Sequence, residues 1–274
     1  CTPTWDNYWA NNAQQEKHLA KAEMSGFNYA TGQYDGAHSR YPNMVIFGSE
    51  TVSAYYYRGV YFLEGEGSGD RCNEYPTYWT FSSATASLEA HRDKTYTAGE
   101  FVWTGHDYLG EPTPRSWPSK SSYFGMIDTA GFAKDSFYLY QSQWTSTPMV
   151  HLLPGNWDQW HDGEEVEVWV NTNQPSAELF LNGESLGKKS FDEKETAYGK
   201  KYYETSEKTQ DDKTWGDSTN PGGYTSNGAV LDDGELNSGK LHLTWKVPYQ
   251  AGTLEVKAYD KNGKVVATDS VSTS

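Results

Sequence analysis

The sequence predicts an α/β region followed by an all-β sandwich. Before about residue 148, short apolar runs such as "NMVIF" do not alternate, and helical patterns space them. Such runs suit parallel strands covered on both faces. After that point "EEVEVWVNTN", "AELFLNGESLG", "KLHLTWKVP" and "GTLEVKAYDKNGKVVATDSVS" alternate apolar and polar residues. Asn182-Gly183 and Asn262-Gly263 sit between alternating runs, as tight hairpins require.

The elements follow in order. "TPTWDNYWANNAQQEKHLAKAEMSG" reads as one helix, with Trp5, Trp9 and Leu19 on one face and Gly26 at its end. "GFNYATGQYD" reads as a short strand and a polar loop. "YPNMVIFGSE" is a buried strand entered from a proline turn, "SATASLEAHRDK" a helix, and "YTAGEFVWTGHDY" a third buried strand. This alternation argues for a βα architecture. Three such strands are legible, whereas a closed barrel needs eight. The stretch from about 192 to 238 is polar and reads as a solvated excursion between strands of the sandwich. The two regions are thus residues 1–147 and 148–274.

Composition narrows the function. Aromatics make up 15%, with 11 Trp and 21 Tyr. They serve either core packing or sugar binding, where flat rings stack on apolar C–H faces. A net charge of −15 argues against a nucleic-acid partner and favours a neutral substrate. Neither the 2 cysteines, Cys1 and Cys72, nor the 7 histidines show metal-ligand spacing. No protein-built metal centre and no cofactor are expected. No apolar run approaches a membrane span, and no signal peptide is visible. The chain opens on Cys rather than Met, as a piece of a longer protein would. Acidity and the appended sandwich incline the location to extracellular or cell-surface rather than cytoplasmic.

In a βα barrel the reactive groups sit at the C-terminal ends of strands. Here those ends carry Asn28 and Tyr29, then Glu50, then Trp103, His106 and Asp107. Alone, Glu50 reads as a loop carboxylate and Trp103 as a core filler. Three strands ending this way at comparable positions make a candidate site.

The stretches "GFNYATGQYDGAHSRYPNMVIFGSET", "GEFVWTGHDYLGEPTPRSWPSKSSYFGMIDTAGFAKDSFYLYQSQW" and "VHLLPGNW" resemble glycoside hydrolase family 2, in its β-galactosidase branch. "EVWVNTNQPSAELFLNGESLG" and "VPYQAGTLEVKAYDKNGKVVATDSV" resemble the immunoglobulin-like domain that follows the barrel in those enzymes. The resemblance implies the C-terminal portion of a (β/α)8 barrel followed by an immunoglobulin-like sandwich. It implies a retaining exo-β-galactosidase acting on terminal β-galactosides or oligosaccharides. Glu50, in Ser49-Glu50, matches the family nucleophile, and Tyr29 the tyrosine that hydrogen-bonds to it. Trp103 matches the tryptophan at the floor of the sugar subsite, and Asn28, His106 and Asp107 are the substrate-binding candidates beside it. His106 departs from the Phe more usual in this branch. Asp107 and Glu111 either accept from sugar hydroxyls or hold their own loop, and Asp128 is a turn or a site residue. Arg71, Tyr75 and Trp79 belong to a loop that rims the pocket or simply packs. Some relatives bind a simple cation near the sugar, which nothing here places.

The family acid/base glutamate, in an Asn-Glu pair, has no counterpart in this chain. Asn73-Glu74 falls after the nucleophile strand and cannot be that pair. The chain by itself is therefore expected to be inactive and to need the N-terminal part of the enzyme as partner. Until covered by that part, by different packing or by a homodimer, its strand edges are exposed. Two other readings stand beside this one. One is a non-catalytic carbohydrate-binding or surface module. The other is a β-glucuronidase-type relative, for which Arg115 and Lys120 are the cations available to a glucuronate carboxylate.

Overall fold

The computed structural model describes residues 4–6, 20–52, 58–59, 78–112, 117–207 and 240–274. Cys1, Trp9, Leu19, Arg71, Cys72, Asn73-Glu74, Tyr75, Arg115 and the excursion from 208 to 239 lie outside them. Strands β1 (Thr4–Asp6), β2 (Met24–Asn28), β3 (Val45–Val52) and β4 (Thr97–Trp103) form one parallel sheet in chain order.

Two expectations are corrected here. Trp5 is not on a helix but in β1, where Thr4 pairs with Gly26 and Trp5 with Phe27. Thr and Trp favour extended backbone, and the ladder on the free edge of β2 decides in favour of a strand. The parallel strands therefore number four rather than three.

The polar loop expected after β2 is a 3-10 turn over Thr31–Gln33 running into helix α1 (Tyr34–Arg40). Gly36 weakens its helical signal. Packing supplies what propensity lacks, since Tyr34 and Ala37 bury against Phe27, Met44 and Ile46. Helix α2 (Tyr78–Asp93) covers the same face of the sheet.

The other face is open. Phe101 of β4 is 68% exposed there, meeting Phe47 edge-on at 6.1 Å. Thus β4, expected to be buried on both faces, is covered on one. Its apolar run matches the burial a parallel strand needs, but the described residues supply only half of the cover.

Helix α3 (Asp135–Trp144) then leads into β5 (Val150–Leu153), β6 (Glu165–Thr172), β7 (Ser176–Leu181), β8 (Glu184–Ser190), β9 (Asp192–Glu195), β10 (Lys201–Glu204), β11 (Leu243–Pro248), β12 (Thr253–Tyr259) and β13 (Val265–Ser272). One antiparallel sheet has the order β11-β6-β5 and the other β13-β12-β7-β8. Their inner faces share one core, with Trp157, Val168, Leu179, Trp245 and Val256 within it. Alternation explains the strands, because every second residue faces that core. Asn182 and Gly183 both take positive φ, +52° and +84°, in the two-residue turn joining β7 to β8. The polar excursion opens not as coil but as the β9–β10 hairpin.

A second cluster joins the two regions. Val52, Ala84, Leu88 and Leu139 pack with Leu153, Trp169 and Leu241. At the same seam His151 bonds to Asp135 of α3 at 3.0 Å and to Asp269 of β13 at 3.2 Å. Tyr138 stacks on its ring at 3.6 Å.

Candidate active site

A regular strand sends alternate side chains to opposite faces. The end of β3 breaks that rule. Phe27 pairs with Gly48, yet Asn28 pairs with Glu50, so Ser49 is one residue too many. Toward β4, Gly48 pairs with Glu100 and Thr51 with Val102, again one residue in excess. This is a β-bulge, a device that re-aims side chains next to functional sites. Its effect is visible in the contacts. Ser49 and Glu50, although consecutive, both reach the end of β2. Ser49 Oγ donates to Asn28 Oδ1 at 2.6 Å, and the Tyr29 hydroxyl donates to Glu50 Oε1.

Two local features make this fit. A Cβ on Gly26 would meet Ser49 Oγ at 2.6 Å, so only glycine leaves room for the bulge. Tyr29 has φ +49°, a left-handed conformation uncommon outside glycine, and its N–H donates to the Glu50 carbonyl at 2.9 Å. Val52 has φ +73°, a clear outlier for a β-branched residue. These two strained positions bracket the bulge.

Trp103 ends β4 in register with Val52, and its ring meets Tyr108 edge-on at 5.8 Å. Tyr108 donates to Glu111 Oε2 at 2.7 Å. Burial, the Glu111 bond and the charges of Glu111 and Glu50 push the Tyr108 phenol up to about 12, so it stays a donor. The structure thus brings Asn28, Tyr29 and Glu50 into direct contact and places Trp103 at the end of the neighbouring strand.

The remaining residues separate. Asp107 is 6% exposed, with Oδ2 2.7 Å from Lys134 Nζ and Oδ1 accepting the Gly125 N–H at 2.7 Å. Burial pushes its carboxyl up against the pull of Lys134. Both oxygens serve the loop, which is the holding role rather than the sugar-accepting one. Glu111 is likewise engaged, by Tyr108. Asp128 caps a turn by accepting from Ala130 and Phe132 at 2.9 Å, and Arg58 Nε at 2.7 Å holds its carboxyl below the usual range. His106 is exposed and bridges by backbone to Ile127. Sequence reasoning missed Ser49, Tyr108 and Lys134. A buried lysine carries no sequence signal, whereas Tyr108 lies within the stretch "GEFVWTGHDYLGEP" that carries the family resemblance.

A cleft of about 640 Å³ lies elsewhere. It is on the helical side of the sheet, lined by Glu100, Arg92, Trp144, Tyr198 and Tyr202, and holds none of the candidate residues. No group of His, Cys, Asp and Glu among the described residues has metal-binding geometry.

Comparison with known proteins now bears on this site. The family described as "Domain of unknown function (DUF4982)" matches residues 163–207 and 210–267, within the sandwich. Beta-galactosidase BoGH2A of Bacteroides ovatus is 31% identical over 96% of the chain. The chain belongs to the C-terminal part of glycoside hydrolase family 2. It spans 28% of the Bacteroides ovatus protein's length. A Formosa agariphila relative named as a β-glucuronidase is 36% identical over 70% of the chain, which spans 15% of it. A crystal structure of a β-glycosidase from Bacteroides vulgatus superposes with TM-score 0.64 at 25% identity, over 99% of this chain and 36% of that one. The family is one of glycoside hydrolases, and its named relatives divide between galactosidase and glucuronidase.

Proposed function

We propose that this chain carries the nucleophile half of a retaining exo-β-galactosidase active site. The parallel sheet then forms the last wall of a (β/α)8 barrel, and the sandwich is the immunoglobulin-like domain behind it. The observation that carries the reading is the Tyr29 hydroxyl on Glu50, at the end of a bulged parallel strand beside Trp103.

The chemistry follows from the geometry. A hydrogen bond to a carboxylate favours its charged form. Glu50 attacks C1 of the galactosyl unit and forms a C1–O ester bond as the glycosidic C1–O bond breaks. The electron pair leaves on the aglycone oxygen, which takes a proton from a general acid. Water then attacks C1, gives its proton to that same group and frees Glu50. Trp103 stacks on the C–H face of the sugar, and Asn28 meets its hydroxyls from beside Ser49. The second carboxyl must stand about 5–5.5 Å from the first. Among the described residues Asp107 and Glu111 are engaged elsewhere, and the family resemblance puts the acid/base on an Asn-Glu pair outside this chain.

Galactose is preferred over glucuronate on the surrounding charges. A glucuronate carboxylate needs a cation at the sugar; among the described residues Arg58 is tied to Asp128 and Lys120 sits over the Trp117 ring at 5.2 Å, and Arg115 lies outside them. The test is Glu50→Gln in the full-length protein, assayed on 4-nitrophenyl β-galactoside and the matching β-glucuronide. At least a thousandfold loss of kcat is expected, on the order of what removing a catalytic nucleophile costs. Full activity in the variant sinks the assignment. Faster turnover of the glucuronide by the wild type overturns the choice of sugar.

A further inference from the structure

The bulge has a reverse side. While Ser49 and Glu50 turn toward β2, Thr51 turns to the helical face and is fully buried. Its hydroxyl donates to Glu100 Oε2 at 2.7 Å, and the Ser87 hydroxyl of α2 donates to that same oxygen. His91 Nδ1 lies 3.8 Å from it and 2.7 Å from the Ser87 carbonyl, while its Nε2 meets the Tyr34 hydroxyl at 3.1 Å. Gly48 admits this packing, since a Cβ there would meet Thr51 Cγ2 at 2.5 Å and His91 Nε2 at 3.0 Å. Glu100 is 3% exposed at its side chain, and its Oε1 has no hydrogen-bond partner among the described residues.

Such a network is costly where it stands. Leu, Val and Ile ordinarily fill the layer between a parallel sheet and its helices. A buried carboxylate with an unmatched oxygen lowers stability relative to an apolar replacement. Core packing therefore does not account for it. Its position does. Thr51 adjoins Glu50 along the chain, and it ties the bulge to both β4 and α2. A bulge surrenders ladder hydrogen bonds and is locally soft. Some other contact must fix which way Glu50 points.

We infer that Glu100, acting through Thr51 and with Ser87, is a positioning residue that holds the nucleophile carboxylate on its line of attack. The inference rests on the proposed role of Glu50. On one side of β3, Ser49 and Tyr29 steer the carboxylate; on the other, Glu100 clamps the backbone that carries it. Near-attack geometry is sensitive to displacements of about 1 Å, which cost up to about a hundredfold in rate.

The test uses the full-length protein and 2,4-dinitrophenyl 2-deoxy-2-fluoro-β-galactoside, or the corresponding glucuronide if that sugar is turned over. Intact and peptide mass spectrometry read the adduct. Labelling kinetics separate the rate of covalent capture from the affinity. In wild type the label falls on Glu50. Thr51→Val removes only the hydroxyl at equal shape; Glu100→Leu removes the acceptor. Both are expected to slow capture by about 10- to 100-fold. Affinity stays within about twofold; Glu100→Leu holds or raises the melting temperature, because the buried carboxylate is gone, whereas Thr51→Val lowers it, because a donor to that carboxylate is lost. Thr51→Ser, which restores the hydroxyl, is expected to recover most of the rate. Capture at the wild-type rate in folded Thr51→Val and Glu100→Leu overturns the inference. A slow rate in Thr51→Ser equal to that in Thr51→Val also overturns it, because the hydroxyl is then not what matters. A label on another residue in wild type defeats the Glu50 reading instead, so the two failures are distinct.

Discussion

The parallel sheet and the sandwich bury themselves in opposite ways. In the sandwich the cluster between the two sheets is apolar, with tryptophans that place their N–H groups on carbonyls, as Trp157 does on Gln250 at 2.9 Å. The polar groups the sandwich buries, Asn171 and His242 among them, lie outside that cluster. Around the parallel sheet, polar groups are buried wholesale: Thr51, Ser87, Glu100 and His91 on the helical face, Lys134 and Asp107 in the loop after β4. Large apolar groups there are meanwhile left outside, with Phe101 at 68% and Trp117 at 79% exposure. Between its two sheets the sandwich packs hydrocarbon. The parallel sheet meets its helices through hydrogen bonds, and its other face is open among the described residues.

The contrast breaks most sharply under truncation to alanine. Trp157→Ala, at a fully buried site whose N–H is bonded, is expected to cost about 5 kcal/mol. Phe101→Ala, at the open face, is expected to cost under about 0.5 kcal/mol in this chain. In the full-length protein the second figure should rise to about 3 kcal/mol if barrel strands cover that face. Urea unfolding of both forms reads the difference, and an unchanged Phe101 cost refutes the cover.

A smaller effect tests the polar interior. Lys134→Met strands the Asp107 carboxyl and is expected to cost about 3 kcal/mol. The double variant Lys134→Met, Asp107→Leu should regain most of it, because an apolar pair of similar bulk suits the site. A double variant as unstable as the single one would mean that the pair contributes more than mutual compensation.

The smallest effect lies at the seam, where His151 stands between two carboxylates. Burial opposes charge on its ring, but the bonds to Asp135 and Asp269 outweigh burial and raise its pKa. Burial likewise opposes the Asp269 charge, and His151 holds that carboxyl below its usual value all the same. The signs fix a window. The histidine's contribution is fully present below its ordinary value of 6.5 and is lost as pH climbs through the raised one. That of the aspartate is present above its ordinary 3.8 and is lost as pH falls through the lowered one. Melting temperature should therefore fall off on both sides of this range, and His151→Phe should flatten both slopes. A wild-type profile that keeps rising above neutrality contradicts the clasp.

What was readable in the sequence divides along the same line. The sandwich strands stood out because each buries against the other sheet of the same chain, so alternation and Asn182-Gly183 suffice. The end of β3 and its carboxylate also stood out, since a charge closing an apolar run needs a reason. The bulge did not. Strict alternation puts Gly48 and Glu50 on one face and leaves Ser49 and Thr51 on the other, whereas the register shift sends Ser49 with Glu50. A helical reading took β1, because its pairing partner lies about 20 residues away and no local pattern records it. Asp107 reads from the sequence as a sugar acceptor or a loop holder, and its buried partner Lys134, more than two dozen positions on, leaves no local pattern to decide between them.

Val52 follows Thr51 with a strained backbone and then enters the cluster that Leu153, Trp169 and Leu241 of the sandwich complete. The strand carrying the carboxylate is thus moored to the sandwich. For evolution this makes the boundary a poor place to recombine. A sandwich borrowed from a distant relative would bring its own residues to the hydrophobic pocket around Val52. A misfit there would be felt as a loss of rate before it was seen as a loss of fold.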